Sequence, residues 1–209
     1  METLITTVLY GADMEFPELR YFGYTAIAAS LIFPVMWIIS ATTDGSWTFG
    51  VDTLSDMGIS DNPFSAFMFN FGCILMGLLG IAVGSAAFVY GKRTIRYGSL
   101  LYMFSMLSLF FVGVFTLNTD MHYVVATSFF VVCGMSIVVI SISDFKISWY
   151  LYPDIVLIAV MVITIMTLEF EVWEPIYTIC SLIWTFTFGI KMIEGDERLF
   201  RDTSPTRGV

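Results

Sequence analysis

Six apolar runs of about twenty residues divide this chain, and the short stretches between them carry most of its polar and charged positions. A helix rising about 1.5 Å per residue needs about twenty such residues to cross about 30 Å of hydrocarbon. The pattern therefore predicts six membrane-spanning helices, at about Tyr21 to Ser40, Phe64 to Tyr90, Gly98 to Leu117, Tyr123 to Ile142, Trp149 to Leu168 and Ile176 to Ile193. The fold class is all-α, an integral membrane six-helix bundle read as one domain over 1–209. Pro34 removes a backbone hydrogen bond inside the first span and predicts a kink. The longest connection, 41–63, is broken by Gly45, Gly50, Gly58 and Pro63 and cannot be a span. Asn118-Thr119-Asp120-Met121-His122 is short enough to make spans three and four an antiparallel hairpin. Residues 1–20 read as an interfacial segment with Phe16 and Tyr21 at head-group depth, because they lack the basic flank of a cleavable signal peptide. Residues 194–209 read as a mobile polar tail.

Small residues single out the second span. Gly77, Gly80 and Gly84 recur at three- and four-residue spacing on one helix face, where small side chains let a second helix approach closely. That spacing predicts a central packing helix and offers a face for a homo-oligomer.

Composition agrees with burial in lipid: 57% hydrophobic and 13% charged residues, against about 45–50% and about 25% in soluble domains. The net charge of -9 argues against nucleic acid, whose phosphates require a basic face; membrane lipids are the expected partners. Charge also sets a topology, because Lys and Arg are retained on the cytoplasmic side during insertion. Arg20, then Lys92, Arg93 and Arg96, then Lys146, then Lys191, Arg198, Arg201 and Arg207 fall on one side of a six-span scheme, and they are all nine basic residues of the chain. The expected location is a cell membrane, with N and C termini and loops 91–97 and 143–148 cytoplasmic. Loops 41–63, 118–122 and 169–175 then lie outside, with Asp44, Asp52, Asp56, Asp61, Asp120, Glu169, Glu171 and Glu174.

Candidate chemistry gathers at the outer ends of spans two to four. His122 is the only histidine; with Asp56 and Asp120 it could form a catalytic general base. Ser55, Asp56, Asn70, Asn118 and His122 could equally form a ligand-binding pocket. Capping of span four by Thr119 or Asp120, with His122 at the interface, is the structural alternative. One histidine leaves too few soft donors for zinc, and the acidic loops lack the alternation of a calcium loop, so no metal is assigned. Cys73, Cys133 and Cys180 sit in separate apolar runs and give no disulfide framework. Asp154, just after Pro153 in span five, is an intramembrane acid. Such a residue is a functional candidate, with Lys146 or Lys191 as partner, unless it snorkels to the cytoplasmic boundary. Trp47, Trp149 and Trp173 fall where an interfacial aromatic belt would lie. No Gly-rich phosphate loop, GxSxG elbow or HExxH motif occurs, and no cofactor is expected.

One combination of residues is familiar: Thr53-Leu54-Ser55-Asp56-Met57-Gly58 before span two, Asn70 with Gly72 and Gly77 within it, and Phe115-Thr116 leading through Asp120 to His122 and Ala126. It resembles domain of unknown function 998 (DUF998), a family of multi-pass proteins of archaea and bacteria. The resemblance implies the six-span topology and marks Asp56, Asn70 and His122 as the polar signature. Thr116 departs from the pattern, standing where a proline commonly follows the phenylalanine. Three functions stay open: a non-enzymatic protein binding lipid head groups or a partner in the outer pocket, an intramembrane lipid-modifying enzyme using His122, and a small cation channel or carrier using Asp154 and the outer acids.

Overall fold

The computed structural model describes residues 19–200 other than 147 and 197. The segment 1–18, the tail from 201 with Arg201 and Arg207, and the side chains of Lys146 and Trp149 lie outside the described residues. Six long helices account for most of the rest: α1 (Leu19–Asp44), α2 (Pro63–Tyr90), α3 (Arg93–Val114), α4 (Asp120–Ser141), α5 (Ser148–Thr167) and α6 (Phe170–Glu194). Two 3-10 helices, Leu54–Ile59 and Ile142–Lys146, lie between them. Local chemistry explains several boundaries. The Asn62 side chain accepts the Phe64 amide at 3.0 Å and Pro63 occupies the first turn, so α2 starts there. Gly195, at a φ of 61°, supplies the left-handed residue that ends α6.

The last helix differs from the expected span. It begins at Phe170 rather than Ile176, taking in Glu171, Glu174 and Pro175. Glu171 in its first turn complements the positive end of the helix dipole, and Pro175 is accommodated with the loss of one backbone hydrogen bond.

All six helices are long and apolar enough to cross a bilayer, and their outward faces expose residues such as Val35, Ile38, Phe104, Val131, Val156, Ile163 and Met166. Apolar surface of that extent is stable only against lipid, so this is a multi-pass membrane protein. Its two ends differ in charge. Arg20, Lys92, Arg93 and Lys191 lie at one, the basic end, while the connections 45–62, 115–119 and 168–169 form the acidic end. At the basic end the chain after α6 docks on the α2–α3 junction, where the Lys92 amide donates to the Leu199 carbonyl at 2.9 Å.

The helices form an open ring in the order α4, α3, α2, α1, α6, α5. Close seams hold most of it. Along α2–α3, a Cβ added at Gly77 would stand 2.7 Å from the Met106 carbonyl oxygen, and one at Gly80 would stand 2.4 Å from the Met106 side chain. A Cβ at Gly84 would stand 2.5 Å from Met103. The small-residue face is thus occupied by α3 of the same chain. Between α1 and α2, the Ser40 and Ser65 hydroxyls each donate to the other residue's carbonyl, at 2.8 and 2.9 Å. Helix α6 is central, with 61% of its apolar stretch inside the bundle, whereas α5 is peripheral at 22%. The ring stays open where α4 faces α5 and α6, and the gap lies at the acidic end.

Candidate functional site

At the acidic end the chain leaving α1 must pass back over the mouth of the bundle, and the 3-10 helix Leu54–Ile59 plugs it with the buried Leu54 and Met57. Several of its polar groups find partners, as burial demands. The Trp47 indole donates to the Thr53 carbonyl at 2.8 Å. The Thr53 amide and hydroxyl donate to Asp56 Oδ2 at 2.7 and 2.8 Å. The Leu54 amide donates to Glu174 Oε2 of α6 at 2.8 Å. Asn70 of α2 donates to the Gly58 carbonyl at 2.9 Å, an approach that any Cβ at Gly58, 2.6 Å from Asn70 Oδ1, would obstruct. Asp56 and Asn70 therefore hold the plug in place.

His122 lies in the first turn of α4 and is 3% exposed. Its Nδ1 is 2.7 Å from the Phe115 carbonyl oxygen. A carbonyl only accepts, so Nδ1 carries the proton, and in the neutral ring Nε2 is a free lone pair. The turn before it forms with Thr116: the Thr119 amide and hydroxyl both donate to the Thr116 carbonyl at 2.9 Å. Thr119 holds the N-cap position without a side-chain cap. Asn118 and Asp120 are exposed on that turn.

His122 stands at the inner side of a cleft between α4, α5 and α6. The cleft measures about 610 Å³, with Thr127, Val131, Ile165 and Phe170 among the residues lining it. Ser55, His122, Ala126, Phe130 and Glu174 line both this cleft and a smaller chamber of about 40 Å³ beneath the plug. That space admits a few waters or one small polar group. The chamber is also lined by Thr178, Ser181 and Thr185, which with Glu174 form a polar stripe at helical spacing along α6. Phe130, Phe170, Trp173 and Tyr177 pack edge to face beside it, with ring centroids 4.9 to 6.5 Å apart. The Tyr177 hydroxyl ties α6 to α4 by donating to the Phe130 carbonyl at 2.6 Å.

Of the residues marked from sequence, Ser55, Asp56 and His122 line the cleft. Asn70, Asn118 and Asp120 are not among its walls. His122 is oriented by the Phe115 carbonyl, since Asp56 is engaged by Thr53 and Asp120 faces outward. Glu174 went unmarked among the candidates; it is 6% exposed, and its signal was the four- and three-residue spacing to Thr178, Ser181 and Thr185.

The opposite end contains a second buried polar cluster. Lys191 Nζ of α6 lies 2.7 Å from Asp144 Oδ2 and 2.9 Å from Asp154 Oδ2, and the Ser141 hydroxyl donates to Asp154 Oδ2 at 2.6 Å. The three ionisable side chains are 0 to 2% exposed, so Asp154 does not snorkel to water. Lys191 also sits 5.3 Å from the centroid of the Tyr150 ring, whose hydroxyl donates to Glu194. Asp154 Oδ1 is buried without a partner. The cluster joins the end of α4, the second 3-10 helix, α5 and α6, closing the ring at the basic end while the acidic end stays open. Asp154 does not line the cleft and lies at the basic end, away from the outer acids. Among the described residues no three His, Cys, Asp or Glu side chains converge to hold a metal ion.

No curated protein and no solved structure matches the chain. The family model for proteins of unknown function DUF998 matches residues 27–191, a stretch that takes in the plug, His122, Glu174 and most of all six helices, and the chain belongs to that family.

Proposed function

We propose that the cleft is a lipid site, and that the protein acts without catalysis by holding a membrane lipid through its head group. The supporting observation is the cleft itself. A space of about 610 Å³ is within the range of ligand sites, and this one lies between α4, α5 and α6 with largely apolar outer walls and a polar inner wall. A head group entering from the bilayer would meet Ser55, His122 and Glu174 while its chains stayed against Val131 and Ile165. The basic residues at the opposite end support a cytoplasmic position for it and for both termini, an orientation in which the cleft faces the outer leaflet of a cell membrane.

The free lone pair of His122 Nε2 favours one second reading, an enzyme in which His122 takes a proton from a lipid hydroxyl. Native mass spectrometry after gentle extraction tests the first reading and separates the two. The wild type is expected to retain lipid, and Ala126→Trp, which fills the cleft, is expected to lose it. Equal lipid content in both proteins, or none in the wild type, would count against a lipid site. Altered lipid accumulating with the wild type and not with His122→Gln would favour the enzyme.

A further inference from the structure

We infer that the chamber at the base of the cleft selects an organic ammonium group, the head of an amine-bearing membrane lipid, and discriminates against anionic heads. The inference rests on the cleft being a lipid site and names what it would hold.

The case is an inventory of protons. The Thr178, Ser181 and Thr185 hydroxyls donate to the Glu174, Thr178 and Ser181 carbonyls at 2.9, 2.8 and 2.9 Å. Each hydroxyl proton is thereby committed to the α6 backbone; the Thr185 oxygen accepts in turn from the Tyr102 hydroxyl at 3.4 Å, and the remaining oxygen lone pairs are left to the chamber. The Thr53 hydroxyl gives its proton to Asp56, so in the 3.1 Å contact between Ser55 and Thr53 it is Ser55 that donates. His122 commits Nδ1–H to the Phe115 carbonyl, and its Nε2 has no hydrogen-bond partner among the described residues. Glu174 accepts one amide on Oε2, and its other oxygen is likewise unpartnered. His122 and Glu174 are both more than nine-tenths buried, and both line the chamber. The space thus offers acceptors and the carboxyl group of Glu174, with weak thiol donors at Cys73 and Cys133.

An occupant matching such a lining brings donors and positive charge. An anion would meet lone pairs and a buried Glu174 carboxyl with no cation beside it, whereas a bound ammonium would favour the ionised form of that carboxyl. Every described Lys and Arg belongs to the basic end or to α6 near it, so nothing offsets Asp56 and Glu174. The aromatic wall adds attraction, because a cation is drawn to a ring face: Phe130 lines the chamber, and Trp173 and Tyr177 line the adjoining cleft. The stronger donors of the cleft, on Tyr123, Thr127 and Trp173, line its outer part and not the chamber. The phosphate accompanying a lipid amine would reach that outer part.

The test is competition between lipids of matched chains on the full-length protein in detergent, read by native mass spectrometry. The panel carries ethanolamine, choline, glycerol-phosphate and uncharged diacylglycerol heads, with free ethanolamine as a separate arm. Amine-bearing lipids are expected to be retained on the order of tenfold better than the anionic one. Glu174→Gln, which keeps an acceptor for the Leu54 amide, is expected to abolish that preference while still retaining lipid; Phe130→Leu is expected to weaken it. Equal or better retention of the anionic lipid, or an undiminished preference in Glu174→Gln, would overturn the inference while leaving the cleft a lipid site. Loss of the bound lipid to free ethanolamine would transfer the site to a soluble amine and overturn the lipid source. No retention of any lipid would remove the underlying site.

Discussion

Lys191 carries an ammonium group inside an apolar bundle and is 2% exposed. Its position is tolerable because two carboxylates and the Tyr150 ring face it, and because the C-terminal turn of a helix favours a cation. Removing one member of such a group strands the others. Loss of a buried partner costs about 3–5 kcal/mol, whereas replacing the whole group with apolar residues of similar size is often neutral. Lys191→Met is therefore expected to lower the unfolding temperature in detergent well below that of the wild type. The triple replacement Lys191→Met, Asp144→Leu, Asp154→Leu is expected to recover most of the loss. A single Lys191→Met variant as stable as the wild type would show that the ammonium is not paired in the folded protein. At this scale the sequence was partly legible. Asp154 stood out because a carboxylate beside Pro153 in an apolar run is unusual, and Lys191 was among its expected partners. Asp144 escaped notice because an acid in a connection is ordinary, and no spacing marks where the chain folds back under α4.

Helices were legible to within a few residues where long apolar runs meet a capping residue, as at Asn62-Pro63. They were less so where a run fades into polar positions. Glu169 to Pro175 reads as a connection because it holds three acids and a proline, yet all but Glu169 belong to α6. That shift moves Glu174 from a loop onto a helix face, in line with Thr178, Ser181 and Thr185. The ring order was not legible, since apolar periodicity does not distinguish a lipid-facing surface from a helix-facing one. It depends instead on the glycine seam of α2, the Ser40–Ser65 pair and the buried Lys191 cluster that ties α5 to α4 and α6. The direction of the helices can be tested independently of their packing. Cys73, Cys133 and Cys180 are buried, so introduced thiols at exposed sites report cleanly. An impermeant thiol reagent is expected to label Asp61→Cys in intact cells and Arg93→Cys only after permeabilisation. Labelling of Arg93→Cys from outside would invert the arrangement and turn the cleft toward the cytoplasm.

For the molecule as a whole, the division of labour between its two ends follows from where polar groups are satisfied. At the basic end Lys191, Asp144, Asp154 and Ser141 bind one another and shut the ring. At the acidic end the plug uses Asp56 and Asn70 internally, leaving His122 and Glu174 with unused acceptors facing a cleft between α4, α5 and α6. The most direct measurement is a structure of the protein in nanodiscs of its native lipids. Lipid density is expected between α4 and α5, with its head within hydrogen-bond distance of His122 and Glu174. Well-ordered lipid elsewhere around the bundle, with the cleft closed by contact of α4 on α5, would contradict it.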